Sequence, residues 1–195
     1  MTTRSARAPG ALALLLAAVS ACGGSTSGAS PAAATPEADA TVAPSRAVAT
    51  PSTSGPLEDL VPDEVGGIKL TKEVVHGPDI GELDPADAAN FGKVLENVEG
   101  PPEAFTAVSG TGDGLAVAAW RMEGTDGAQL GDAFIGFVLE VGAAEVEDVT
   151  IDGKDVKRVT PANTTPIHVY VTGEVMFVVS ADDPELVEEA FAALP

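Results

Sequence analysis

Apolar positions divide this chain into three unlike parts. A short run rich in Leu and Ala, from Ala11 to Val19, follows Arg4 and Arg7. From Gly23 to Pro56 the sequence is almost entirely Ala, Ser, Thr, Pro and Gly, with no Leu, Ile, Met or aromatic residue. Such a stretch has nothing from which to build a core. From Leu57 onward Leu, Val, Ile and Phe return together with acidic residues, and their spacing switches between the strand and helix periods. One domain of 139 residues, 57–195, fits that last part.

Within the domain, Leu57–Pro62 reads as a helical turn stopped by proline, and Ile68–Val75 as a strand. Asp84-Pro85-Ala86-Asp87 opens a helix: Asp84 can cap the free amides, Pro85 suits the first turn, and Asp87 favours the positive end of the dipole. Phe91, Val94, Leu95 and Val98 give that helix one buried stripe, and Gly100-Pro101-Pro102 ends it. Phe105–Val108 and Leu115–Met122 predict a hairpin whose tip is the glycine-rich stretch Ser109–Gly114.

Asp126–Val141 predicts the most apolar helix of the chain. Leu130, Phe134, Phe137, Val138 and Val141 form one face, while Ile135 and Leu139 add a second, so the helix reads first as a central one packed on the sheet and covered by neighbours, and alternatively as a face awaiting a partner or an acyl chain. Short alternating strands follow: Val149–Ile151 and Val156–Val159 around a type I′ turn at Asp152-Gly153, then Ile167, Val169 and Val171 at period two. Gly173-Glu174 suits a type II′ turn into Val175–Val179. Asp183-Pro184 starts a last helix that turns Leu186, Val187, Ala190, Phe191 and Leu194 inward.

This order lacks regular βαβ alternation and predicts an α+β fold. An antiparallel β-sheet of about 5–7 strands would carry about three helices packed mainly on one face. A parallel doubly wound sheet is the alternative. Residues 105–141 and 167–194 echo each other faintly as hairpin-then-helix units.

The N-terminal pattern of two arginines, an apolar run and small residues is a signal-peptide layout over residues 1–21. The run is far shorter than the roughly 20 residues that a helix needs to cross a bilayer. Val19-Ser20-Ala21-Cys22 resembles the lipobox of bacterial lipoprotein precursors. That resemblance covers the first 22 residues and implies a diacylglyceryl group on the Cys22 thiol, with cleavage between Ala21 and Cys22. Sulfur suits the reaction because a deprotonated thiol is the best nucleophile among side chains. Each buried methylene contributes about 0.8 kcal/mol, so two acyl chains would hold the protein firmly to the bilayer, on the extracytoplasmic face of the cell membrane.

Residues 22–56 then read as a tether. As a flexible coil, its residues after Cys22 span roughly 30–35 Å on average and on the order of 110 Å at full stretch. Its eleven Ser and Thr residues among five prolines are also a composition that suits O-glycosylation. Cys22 is the one cysteine, so no disulfide can form within the chain and the domain must stand on its core.

Formal charge is −20, and loss of Arg4 and Arg7 with the signal peptide makes the mature chain −22. Such a surface repels nucleic acid and anionic head groups, and it keeps an exposed protein soluble.

Candidate chemistry is sparse. Two histidines, His76 before Gly77-Pro78 and His168 on the more polar face of its strand, both read as structural. Ser109 lacks the glycine two positions earlier that a nucleophile elbow needs. The glycines at 110–114 lead into a strand rather than a helix N-terminus, which argues against a phosphate cradle. No Cys or His pair stands at metal-ligand spacing, and Asp182-Asp183-Pro184-Glu185, though it could attract calcium weakly, is better read as a helix start. No cofactor is expected. Trp120 is expected in the core.

Three classes of function stay open. A non-enzymatic domain would bind an envelope protein or an apolar ligand at Leu130, Phe134, Ile135, Phe137 and Leu139. A hydrolase of envelope polymers would work through two carboxylates drawn from the 28 acidic residues of the domain. A passive structural lipoprotein would do neither.

Overall fold

The computed structural model describes residues 55–142, 144–162 and 164–195. Ala21, Cys22, the rest of the stretch read as a signal peptide and nearly all of the stretch read as a tether lie outside them. The chain opens with a one-turn helix, α1 (Leu57–Leu60), and a small ribbon of β1 (Glu64–Val65) and β2 (Ile68–Lys69). Next come β3 (Thr71–His76), α2 (Pro85–Leu95), the hairpin β4 (Phe105–Gly112) and β5 (Leu115–Met122), and α3 (Gly127–Val141). Two further hairpins, β6 (Ala144–Ile151) with β7 (Lys154–Pro161) and β8 (Ile167–Thr172) with β9 (Val175–Ala181), lead to α4 (Pro184–Ala193).

β3 to β9 form one seven-stranded sheet in the order β3-β4-β5-β9-β8-β7-β6, antiparallel at every step. The fold is therefore α+β. Strand alternation sends Ala118 and Trp120 of β5 to one face, where α2 and α3 cover them, and Val117 and Ala119 to the other, where α1 and α4 cover them. Two of the three longer helices thus share a face and the third closes the opposite one. Burial on both sides is why β5 and β9 read as nearly unbroken apolar runs rather than alternating ones. The hairpin-then-helix echo stops at this point, because α3 and α4 dock on opposite faces.

All three longer helices start as their sequences demand. Asp84, Asp126 and Asp183 each accept a hydrogen bond from the amide two residues on, at 3.0, 2.9 and 2.9 Å. α2 ends at Leu95 rather than Val98 because the last turn tightens: the Asn97 and Val98 amides bond carbonyls three residues back. Val98 is buried all the same.

The expected strand 68–75 is two elements. Ile68–Lys69 turns back on Glu64–Val65 through Gly66-Gly67, both at positive φ (57° and 79°), before Thr71 joins the large sheet. The glycine-rich tip is also shorter than expected. β4 runs on to Gly112 and the turn is Asp113-Gly114 alone. Gly110 and Gly112 serve the strand instead, since side chains there would collide with Val61, Ile68 and Leu70 where the N-terminal segment crosses β4. The I′ turn at Asp152-Gly153 has both residues at positive φ (49° and 73°), as the sequence predicts.

One contact ties the outer hairpin to α4. The largely buried Lys154 Nζ donates to the Phe191 carbonyl at 2.9 Å, among the last carbonyls of the helix, where a cation also meets the negative end of the dipole. Lys154→Met keeps the stem and removes the charge. It is expected to cost about 1 kcal/mol in denaturant unfolding, and a loss near zero would show that the contact is idle.

Candidate functional site

The Asp126 cap and a bond from the Gly127 amide to the Gly173 carbonyl at 3.0 Å seat the start of α3 on the β8–β9 turn. From there the helix crosses β5, β9 and β8. Its apolar side chains point into the core cluster beneath, as expected of a central helix packed on the sheet, and the alternative of an open binding face at Leu130, Phe134, Ile135, Phe137 and Leu139 is corrected. Leu130, Phe134, Ile135 and Phe137 are all enclosed, with Phe134 only 1% exposed. The second apolar side, set by Ile135, is used because the sheet extends past α3 and brings Val159 and Val169 into the same cluster.

Of the five residues, Leu139 alone remains accessible, at 45%. Val141 at the helix end and Val146 on β6 are each 40% exposed. These three fall within one short stretch of chain, at the passage from α3 into the outermost strand. Beside α3 a shallow depression of about 330 Å³ is lined by Phe137, Asn97, Gln129, Asp132 and Glu140. A second, of about 380 Å³, lies on the β6–β7 hairpin between Asp148, Thr150, Asp155 and Lys157. Both are open and mixed in lining, with Val149 and Val156 in the second and Ala133 in the first beside the polar groups, and neither is the enclosed apolar cavity that an acyl chain would fill.

The outer hairpin carries cross-strand ion pairs, Lys157 with Asp148 at 2.8 Å and Arg158 with Glu147. The hydrogen bond that the Lys157 ammonium donates to Asp148 raises the Lys157 pKa above its usual value, with the carboxylate's charge adding to it. These pairs are exposed and contribute little stability. Their chief physical effect is to line an unpaired sheet edge with charge, which discourages indiscriminate strand pairing.

The remaining sequence candidates do not converge. His76 ends β3 and His168 lies on β8, four strand steps away, which is roughly 19 Å across the sheet. The His76 Nδ1 meets the Thr106 hydroxyl at 3.5 Å. The face that carries His168 is not the open polar one expected, because α4 covers it. Ser109 is fully buried and cannot act as a nucleophile. Asp183 caps α4 while Asp182 accepts the Thr165 hydroxyl at 2.5 Å, so the candidate calcium run is already engaged. Among the described residues no group of three His, Cys, Asp or Glu side chains could hold a metal. Trp120 stands in the core as expected, 5.1 Å from Phe91, 5.6 Å from Phe105 and 5.3 Å from Phe134 between ring centroids.

One titrating group escaped the sequence reading. Burial, then the charges of Asp84 and Glu73, push the Asp87 carboxyl above the usual carboxylate range. The i,i+3 spacing of Asp84 and Asp87 was visible in the sequence. The approach of Glu73 was not, since it depends on α2 docking over β3.

No family model matches the chain, and no curated protein does. Among solved structures, an uncharacterised protein of Mycobacterium smegmatis, described as an Rv0999 ortholog, is similar at 18% identity and a TM-score of 0.27, over 71% of this chain and 94% of that one. Among the described residues no helix is long and apolar enough to cross a membrane.

Proposed function

We propose that this protein is a lipoprotein of the extracytoplasmic face of the cell membrane, anchored through a diacylglyceryl-modified Cys22, whose acidic domain binds a protein partner without catalysing a reaction. The observation that carries the reading is Val19-Ser20-Ala21-Cys22, set between an apolar run and a stretch that cannot form a core. The start of the fold supports it. Arg121 Nη1 donates to the Gly55 carbonyl at 3.1 Å and Leu57 is buried, so core packing among the described residues starts where Leu returns to the composition. A protein partner is favoured over an apolar ligand because the sheet occupies the apolar face of α3. What α3 offers outward is the exposed Leu139 and an open depression of mixed lining that includes Gln129, Asp132 and Glu140.

The test is the intact mass and membrane partition of the full-length chain in a bacterial host, wild type beside Cys22→Ser. The wild type is expected in the membrane fraction with a diacylglyceryl mass on its N-terminal peptide, and the variant in the soluble fraction. If both are soluble and unmodified, the anchor is wrong and the protein is secreted.

A further inference from the structure

The second buried face holds a group that the proposed function does not use. His168, 7% exposed, looks from β8 toward α4. Its ring stands edge-on to Phe191 at 6.3 Å, and Tyr170 meets the same Phe191 at 6.2 Å. Nδ1 has no hydrogen-bond partner among the described residues. Directly opposite on β7 is Arg158, whose guanidinium is held by Glu147 of β6. On the other side, β9 presents Val179. The cation Lys154 reaches the Phe191 carbonyl from the start of β7. Of the carboxylates near this end of the sheet, Asp182 accepts the Thr165 hydroxyl, and Glu185, Glu188 and Glu189 of α4 are exposed. A proton arriving on the imidazole would therefore create a charge beneath the apolar side of α4, facing a guanidinium, with the Glu147 and Asp182 carboxylates already engaged.

We propose that mild acid loosens α4 from the sheet by protonating His168, baring the apolar surface of Val156, Tyr170 and Phe177 beneath it. Burial pushes the His168 pKa below its ordinary 6.5; a backbone hydrogen bond with Val179 offsets part of this, and the Arg158 charge lowers it further. The fold thus favours the neutral ring. Its contribution is complete above about pH 6.5 and is lost as the pH falls through the lower folded value. A single helix docked on one face of a sheet can open while the rest of the domain stays folded.

Hydrogen exchange of the full-length chain at pH 7.5 and 5.0, corrected for the intrinsic pH dependence of exchange, reads this directly. Amides of Glu188–Ala193 are expected to lose protection at pH 5.0 relative to pH 7.5, while those of α3 keep theirs. His168→Leu and His168→Gln should each abolish the difference. Arg158→Met, which leaves the histidine in place, should shrink it. Equal α4 protection at the two pH values, loss in step with α3, or an unchanged response in the histidine variants would each overturn the proposal.

Discussion

Phe134→Ala is expected to destabilise the protein by about 3–5 kcal/mol, whereas Leu139→Ala, five residues along the same helix, should change stability by less than about 0.5 kcal/mol. The Phe134 ring is 1% exposed and meets Trp120 edge-on at 5.3 Å, in a cluster that also holds Phe91 and Phe105. Removing it deletes apolar contacts and leaves a cavity that the sheet beneath cannot collapse to fill. Leu139 is 45% exposed and gives up little. Trp120 is the one tryptophan of the chain, so its fluorescence reports the site alone. Its emission should shift on Phe134→Ala, and the melting temperature should fall on the order of 10 °C. Similar small losses for both variants would mean that α3 does not pack this face on the sheet.

Gly77→Ala should be the other severe change. A methyl group there would run into the Pro102 carbonyl and the Glu103 Cα, both main chain and unable to swing aside. The turn that follows β3 is pressed against the short turn that precedes β4, and a loss of about 1–3 kcal/mol follows from forcing them apart. Gly81 provides the control within the same 3-10 turn, Gly77–Glu82, because a methyl group would meet nothing within 4 Å. Gly81→Ala is expected to be neutral or to stabilise by up to about 1 kcal/mol, by restricting the unfolded chain. Denaturant midpoints for the pair decide the matter, and equal shifts would show that the close approach at Gly77 is not real.

Much of the fold was legible because local rules and global packing agree. Asp-Pro at 84–85 and 183–184, the I′ turn at Asp152-Gly153 and the period-two run from Ile167 to Val171 each name their own conformation. The reading failed where an element is too short to show a period, as in the two-residue strands β1 and β2. It also failed where glycine answers a neighbour rather than a turn, as at Gly110 and Gly112. The helix 127–141 and its packing on the sheet were legible, but how completely its second apolar side is enclosed was not. Periodicity reports which side chains share a face and says nothing of how far a sheet extends beneath them.

By itself, the sequence determined the longer elements, their order and the acidic charge, and favoured an antiparallel sheet, because each rests on the spacing or charge of near neighbours. Tertiary structure alone decided that α4 closes the face opposite α2 and α3 and that Leu139 is what remains of the apolar candidate face. It alone set His168 against Arg158 and Phe191, and Asp87 against Glu73. Those outcomes depend on residues far apart in the chain meeting across a sheet, and side-chain spacing within one segment carries no record of its distant partners.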